Sequence, residues 1–348
     1  MHQTISFPAP VPSRPSVPIR PVFLPGIGCP TRCIYCQQRV QTGITSQSVH
    51  KIYTQLAQDL EQASKAGCRP FELAFFGGTF TALPQQWPLK LLELASRYKR
   101  EGLVLSVRCS TRPDCISGSD LRELAQRGLN TVELGVQSFC PHVLHSCNRG
   151  HGPETIEKAC AEVQTAGMGL GLQLLPGLPG HDIGTWLTDV RHTCRIHPDF
   201  ARIYPCVVLT GTPLHRMYLR GEFTPWTLEQ TVYALARGFV RLWAAGIPVI
   251  RMGLHPEPDL LPKIAAGPWH PSLGSLVRSK VLRALLKTLC LRLPPGPKAL
   301  SCPRSLQGDL WGYRGRNRNY LVNMGLTPKD TMYHDRACIR ISTFERYP

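Results

Sequence analysis

Gly28-Cys29-Pro30-Thr31-Arg32-Cys33-Ile34-Tyr35-Cys36 sets three cysteines on one short loop, with three residues in the first gap and two in the second. Thiolates so close along a chain can converge on one inorganic centre. At this spacing they hold three corners of a [4Fe–4S] cube and leave the fourth iron without a protein ligand. A structural zinc site is the rival reading, but it closes with four protein ligands and usually pairs two knuckles. No second knuckle follows at such spacing. Three unconnected cysteines in a cysteine-rich chain is the remaining reading. It is weakened by the Gly-Cys-Pro opening and by the Ile34-Tyr35 pair in the last gap.

Outward from this loop the chain alternates. Residues 20–25 read as a short buried strand that delivers the loop, and apolar periodicity predicts helices over 49–66, 85–100, 120–127, 153–166, 182–196 and 228–245. Between them lie apolar runs at 71–76, 103–108, 131–136, 170–175 and 201–209, with one more strand-like run at 248–253. Such alternation implies parallel strands covered by helices. About six units are fewer than the eight of a closed barrel. The expected fold is therefore α/β, a partial (β/α)6 TIM-like barrel with a short basic C-terminal extension. In such sheets the working residues cluster beyond the carboxyl ends of the strands. The unusual peptides fall at that end: the cysteine loop, Gly77-Gly78-Thr79, Thr111-Arg112-Pro113-Asp114, Gln137-Ser138 and Pro176-Gly177-Leu178-Pro179-Gly180.

Three segments are expected: a proline-rich, extended polar tail over 1–19 (Pro8, Pro10, Pro12, Pro15, Pro18), the barrel over 20–255, and the basic extension over 256–348. A proline-rich loop opens the extension at Pro256. Residues 276–291 then read as an amphipathic helix, with Val277, Val281, Leu285 and Leu289 on one stripe and Lys280, Arg283 and Lys287 elsewhere. The 348-residue chain carries a formal charge of +17, and residues 276–348 alone hold 14 Lys and Arg against four acids, a net +10. That excess suits a polyanion such as RNA, and equally a solvated basic surface. There is no secretory signal and no apolar run of membrane-spanning length, so a soluble, cytoplasmic protein with no membrane partner is expected. The other eleven of the 14 cysteines sit singly, as small buried hydrophobes in a reducing compartment, with no spacing that builds a second cluster.

A cube with one open iron can bind a bidentate ligand and inject an electron into it. S-adenosylmethionine suits that role, since its amino and carboxylate groups chelate the iron and reductive cleavage yields a 5′-deoxyadenosyl radical able to abstract hydrogen. The chain resembles the radical S-adenosylmethionine (SAM) superfamily in more than its cysteines. Thr111-Arg112-Pro113-Asp114, Val136-Gln137-Ser138, Asn148-Arg149-Gly150-His151 and Arg202-Ile203-Tyr204-Pro205 with Gly211-Thr212 are similar to the branch that contains the Elongator catalytic subunit. The likeness runs from about residue 20 to residue 255; oxygen-independent coproporphyrinogen oxidases are more distant. Ala266-Gly267-Pro268-Trp269-His270-Pro271-Ser272-Leu273-Gly274 resembles a group of bacterial proteins of that branch with no assigned substrate.

The resemblance implies that Cys29, Cys33 and Cys36 hold the cluster and that Tyr35 stacks near the adenine. Gly77, Gly78 and Thr79 take the place of the family's glycine motif, whose backbone carbonyls accept hydrogen bonds from the methionine amino group. The acid that usually follows the two glycines is Thr79 here, as in the Elongator branch. Arg112 is the candidate for the methionine carboxylate. Glu133 and Gln137 are candidates for ribose or amino contacts, with an outward-pointing Glu133 as the competing placement, and Gln173 for a cofactor hydroxyl. Arg202 and Tyr204 share one strand face, taken as barrel interior rather than helix-covered exterior. His151 and His255 fall at the rim as structural or substrate-side groups rather than metal ligands. No catalytic residue is assigned.

The Elongator subunit modifies wobble uridine in transfer RNA with an acetyltransferase module that this chain is too short to carry, so that chemistry does not transfer whole. The expected function is SAM cleavage and hydrogen abstraction from an unassigned substrate, with tRNA or another RNA as a candidate. The electron would come from an external donor of flavodoxin or ferredoxin type. The alternatives are a non-catalytic iron–sulfur redox sensor and a zinc-stabilised nucleic-acid-binding protein.

Overall fold

The computed structural model describes residues 3–11, 17–38, 48–255 and 258–343. Pro12, Pro15, Pro256 and the last five residues of the extension lie outside the described residues. The first strand, β1 (Thr4–Pro8), belongs to a second sheet taken up below. The main sheet opens with β2 (Ile19–Phe23), whose carboxyl end leads into the cysteine loop. Helix α1 (Val49–Lys65), capped by the Ser48 side chain on Lys51 N, returns the chain to β3 (Phe71–Phe76). Then follow α2 (Trp87–Arg100), β4 (Val104–Thr111), α3 (Gly118–Gln126) and β5 (Thr131–Gln137). The short α4 (Pro141–Ser146) and α5 (Pro153–Thr165) precede β6 (Gly169–Leu174). The chain continues through α6 (Ile183–Ile196) to β7 (Phe200–Ile203). Seven strands pair in parallel, in chain order, and close with β9 below, making one curled half-barrel.

Side-chain alternation sorts the two faces of this sheet. Leu73, Phe75, Val107, Cys109, Val132, Leu134, Leu170, Leu172, Ala201 and Ile203 are buried in one core with Leu56, Leu60, Leu91, Leu121, Ile156 and Trp186 of the covering helices. The intervening residues, among them Glu72, Arg108, Ser110, Glu133, Gln173 and Arg202, face the hollow side. One face is thus apolar and sealed, and the other polar and available.

The run at 201–209 is not one strand. β7 stops at Ile203, just before Tyr204-Pro205, because a proline has no N–H to give the ladder. The chain turns across the mouth as β8 (Val208–Leu209), followed by α7 (Pro213–Leu219) and α8 (Leu228–Ala244). Trp186 of α6 donates its Nε1 to the Ala234 carbonyl of α8 at 2.9 Å, and Gly238 leaves room for its ring. The last strand of the half-barrel is β9 (Val249–Met252), and β10 (Ile264–Ala266) pairs antiparallel with β8 over the rim.

Helix α9 (Leu273–Cys290) joins two cores. Leu273, Val277 and Val281 pack into the barrel; Leu282, Leu286 and Cys290 pack into a second core. Its buried stripe therefore shifts from the expected one, leaving Leu285 and Leu289 only partly covered. The second core lies against β11 (Lys298–Pro303), α10 (Gln307–Trp311), α11 (Arg318–Asn323), β12 (Leu326–His334) and β13 (Cys338–Thr343). Strand order is β1-β13-β11-β12, with Thr4 opposite Ser342 and Pro8 opposite Cys338. Residues 4–8, read from sequence as tail, are the edge strand of this sheet, and partly buried Ile5 and Phe7 pack against its core. Among the described residues no helix is long and apolar enough to cross a membrane.

A candidate cofactor site at the barrel mouth

Two loops interlock to carry the cysteines. Leu24 N donates to the Phe76 carbonyl at 2.7 Å, and Thr79 N to the Ile27 carbonyl at 2.9 Å. A Cβ on Gly28 would run into the carbonyl of Thr79, and one on Gly78 into those of Leu24 and Ile27. Gly28 also sits at φ +80° and Gly77 at φ +91°, the left-handed region that glycine tolerates. These glycines are needed for backbone-to-backbone fit before any ligand is considered. Thr79 is wholly buried and its hydroxyl lies 3.2 Å from Cys29 Sγ.

The cysteine loop is then clamped by the segment after β5. Ile34 N donates to the Cys147 carbonyl at 3.3 Å, and Asn148 Nδ2 to the Arg32 carbonyl at 2.9 Å. Arg149 directs one N–H at Cys33 Sγ, 3.2 Å away, and another at the Gly135 carbonyl. Arg112 lies at 3.9 Å from the same sulfur. Burial first, then the neighbouring Cys33 and Cys29, pushes the Cys36 thiol up to about 12. The three thiols thus share one enclosure. Among the described residues no three His, Cys, Asp or Glu side chains stand at the spacing a single metal ion requires.

Arg149 is the informative side chain. It is 4% exposed, its Nε has no partner, and among the described residues no carboxylate lies at ion-pair distance from it. A buried cation without a counter-charge is costly. Burial opposes its charge, but Tyr35 and Cys33 more than offset that and hold the guanidinium above its ordinary range. Three thiolates on an iron–sulfur core, an assembly that is anionic in both oxidation states, would supply the missing negative charge, so the donor set and its surroundings fit an iron–sulfur cube. The sequence offered one signal for this residue, its place in Asn148-Arg149-Gly150-His151, but no role.

Arg112 differs from expectation. Its fork is filled by Asp114, Nε to Oδ1 at 2.9 Å and NH2 to Oδ2 at 2.7 Å, so it is not open to a ligand carboxylate in this structure. His151 backs this pair, with Nε2 3.9 Å from Asp114 Oδ1. Burial and then Arg149 lower its pKa to about 4, which leaves a neutral ring. His255 is exposed at the end of β9.

Deeper in the hollow, Glu133 is fully buried and points inward, not outward. It accepts from Arg108 NH1 at 3.1 Å, Arg202 NH1 at 2.8 Å and Gln173 Nε2 at 2.9 Å. Gln173 also reaches Ser110 Oγ at 3.1 Å, and Arg108 pairs with Glu72. Glu133 and Gln173 are thus engaged with the protein itself, and the contacts expected of them with a cofactor are taken up by this network. Strand register explains it, since Ser110 sits opposite Glu133 and Gln173 opposite Arg202. The Arg202 guanidinium lies 4.9 Å from the Phe76 ring and 5.8 Å from that of Tyr204. Gln137 turns at φ +69° on the rim, with its side chain folded over Gly135. Tyr35 Oη is buried without a hydrogen-bond partner, and burial raises its pKa well above the phenol range.

Fold and site together define a class: a half-barrel enzyme whose mouth presents a three-thiolate loop backed by buried arginines. Comparison with known proteins agrees. The model of the radical SAM superfamily matches residues 23–192, and that of the radical SAM C-terminal domain matches residues 198–283. The chain belongs to the radical SAM superfamily, and it is an enzyme of that superfamily with Elongator-like relatives.

It is 30% identical over 265 residues to the tRNA uridine(34) acetyltransferase of Methanocaldococcus infernus, covering 69% of this chain and 48% of that protein. It is 25% identical over 244 residues to Elongator complex protein 3 of Saccharomyces cerevisiae, covering 59% and 44%. The solved archaeal Elp3 of M. infernus, with its N-terminus deleted, superposes with a TM-score of 0.60 at 25% identity, over 78% of this chain and 63% of that one. The chain spans about half the length of the curated relatives it matches.

Proposed function

We propose that the three thiols of Cys29, Cys33 and Cys36 hold a [4Fe–4S] cluster, that SAM binds at its open iron, and that RNA is the substrate class. When bound, cluster and SAM together supply a 5′-deoxyadenosyl radical through one-electron reductive cleavage, the electron coming from an external flavodoxin- or ferredoxin-type donor. The protein's own part is placement. Arg149 compensates the thiolate charge beside Cys33. The Gly77-Gly78-Thr79 backbone brings carbonyls to the mouth, and Tyr35 and Gln137 line it. Arg202, over the rings of Phe76 and Tyr204, forms the wall of the hollow below, with Glu133 fixing the arginine and Gln173 bracing Glu133. The polar sheet face keeps the hollow open for ligand, while the apolar face seals it from the helix side.

The observation that carries this reading is the buried, carboxylate-free Arg149 aimed at Cys33 on a three-cysteine loop. RNA is supported by the +10 charge of residues 276–348 and by the likeness to an archaeal tRNA uridine(34) acetyltransferase. The test is anaerobic reconstitution with iron and sulfide, dithionite reduction in the presence of SAM, and chromatography for 5′-deoxyadenosine. The wild type is expected to form it and Cys33→Ala to form none. A reconstituted wild type that binds SAM but releases no deoxyadenosine points instead to a sensor and overturns the catalytic reading.

A further inference from the structure

Outside the barrel mouth, the most continuous unexplained feature is a run of cations and aromatic rings along α8 and α9. Tyr233 is 44% exposed, and two cations approach its ring, Arg237 Cζ at 5.7 Å and Lys280 Nζ at 5.5 Å. One turn along α9, Arg283 Cζ sits 3.8 Å from the ring centre of Tyr320 on α11, and Lys287 follows on the same helix face. At the other end, Tyr313 carries Arg314 at 5.3 Å and meets His270 edge-on at 5.1 Å. The peptide that bears Tyr313 and Arg316 is not loose. Buried Asn317 fastens it to α9 through Ser279 Oγ at 2.9 Å and Ser279 O at 3.2 Å, and to α10 through Leu310 O at 3.1 Å.

Three facts separate this surface from an ordinary solvated basic face. First, among the described residues none of Arg237, Lys280, Arg283, Lys287, Arg314 and Arg316 has a carboxylate within ion-pair distance. The acid at its base, Asp309, is buried and committed to Arg278 at 2.5 Å. Secondly, cations alternate with aromatic rings, the pairing that holds a nucleic-acid strand by phosphate contacts and base stacking together. A membrane-surface helix also needs a free apolar face, and that of α9 is buried in the two cores. Thirdly, the run begins at the mouth: Leu273, the first residue of α9, packs on Gly253 at the carboxyl end of β9, and His270 precedes it by three residues.

We infer that the α8–α9 ridge, from Tyr313 and Lys280 to Arg283 and Lys287, is a track for a single-stranded or looped RNA segment that leads toward the barrel mouth. The inference rests on RNA being the substrate class and adds where the strand lies. Each neutralised phosphate releases bound counterions, so the track makes binding steeply salt-dependent, with a slope of roughly 0.7 in log K against log salt per contact on single-stranded RNA.

The probe is a fluorescein-labelled RNA of about 20 nucleotides and mixed sequence, titrated by anisotropy at several salt concentrations. The combined variant Lys280→Ala, Arg283→Ala, Lys287→Ala is expected to weaken binding about tenfold or more and to reduce the slope by roughly 2. Tyr233→Leu keeps every charge and is expected to weaken binding with the slope unchanged. A control that removes equal charge elsewhere, Lys51→Ala, Arg100→Ala, Arg122→Ala, should leave affinity within about twofold. All these side chains are exposed, and circular dichroism checks that the fold is kept. If the wild type binds RNA and the ridge variant binds it equally, the track is wrong and the RNA reading stands. If the wild type binds no RNA at low salt, both fall. If the ridge instead captures vesicles rich in anionic phospholipid and no RNA, the surface is a membrane contact and the track is overturned.

Discussion

Arg149 works through position rather than reach: its guanidinium is locked between Gly135 and Cys33, so it cannot turn away to solvent when the thiolates change charge. Removing it leaves the thiolate charge beside Cys33 uncompensated. Arg149→Met is therefore expected to retain half or less of the iron and sulfide of the wild type after anaerobic reconstitution, and Arg149→Lys to recover part of it. Equal iron content in Arg149→Met would make the residue a scaffold only. His151 gives a second test at this scale. Its ring is buried and neutral, with a pKa of about 4 against about 6.5 for an unfolded histidine, so the native state binds fewer protons than the unfolded chain. Stability from this group is whole above about pH 6.5 and is lost as pH falls toward 4, by up to about 3 kcal/mol. Urea midpoints at pH 7 and pH 5 should differ less in His151→Gln than in the wild type; the same difference in both would rule the histidine out as the source.

The interlocked loops set the next scale. Gly78 lies against two carbonyls of the cysteine loop, which leaves no slack for a methyl group. Gly78→Ala is expected to cost about 1–3 kcal/mol and to spread the loop away from Thr79. It would be seen as a lowered urea midpoint together with a weaker visible absorption of the reconstituted cluster. An unchanged midpoint would mean that the loops part more easily than their hydrogen bonds suggest. Here the sequence was readable in one way and opaque in another. Glycine pairs and cysteine spacing are local signals, and both mark this corner. The reason Gly78 must be glycine, the approach of Leu24 and Ile27 from a strand some fifty residues earlier, is a property of pairing and leaves no trace in its own neighbourhood. Glu133 shows the same limit. Its inward direction follows from strand alternation, but its three partners come from β4, β6 and β7 and depend on register.

For the molecule as a whole, alternation of short apolar runs with longer amphipathic stretches exposed the half-barrel, because strand and helix have distinct lengths and periods. The second sheet escaped because its strands are basic, edge-rich and interrupted by short helices, so neither period persists long enough. Strand β1 was hidden for a simpler reason: five residues ending on a proline carry too little pattern, and their partner lies more than three hundred residues away. A protein lacking residues 1–11 is expected to expose the edge of β13 and to scatter light on standing at concentrations where the full chain stays clear. If it remains monomeric and melts at the same temperature, β1 contributes nothing to the sheet's integrity.

The pairing of β1 with β13 also imposes an order on synthesis. A ribosome makes residues 4–8 more than three hundred residues before 338–343, so the earlier strand must wait through translation of the entire barrel before its neighbour exists. The half-barrel can close during that interval and bring its cysteine loop to maturity. The second sheet, and with it the fixing of α9 on both sides, is completed only once residues 338–343 have left the ribosome.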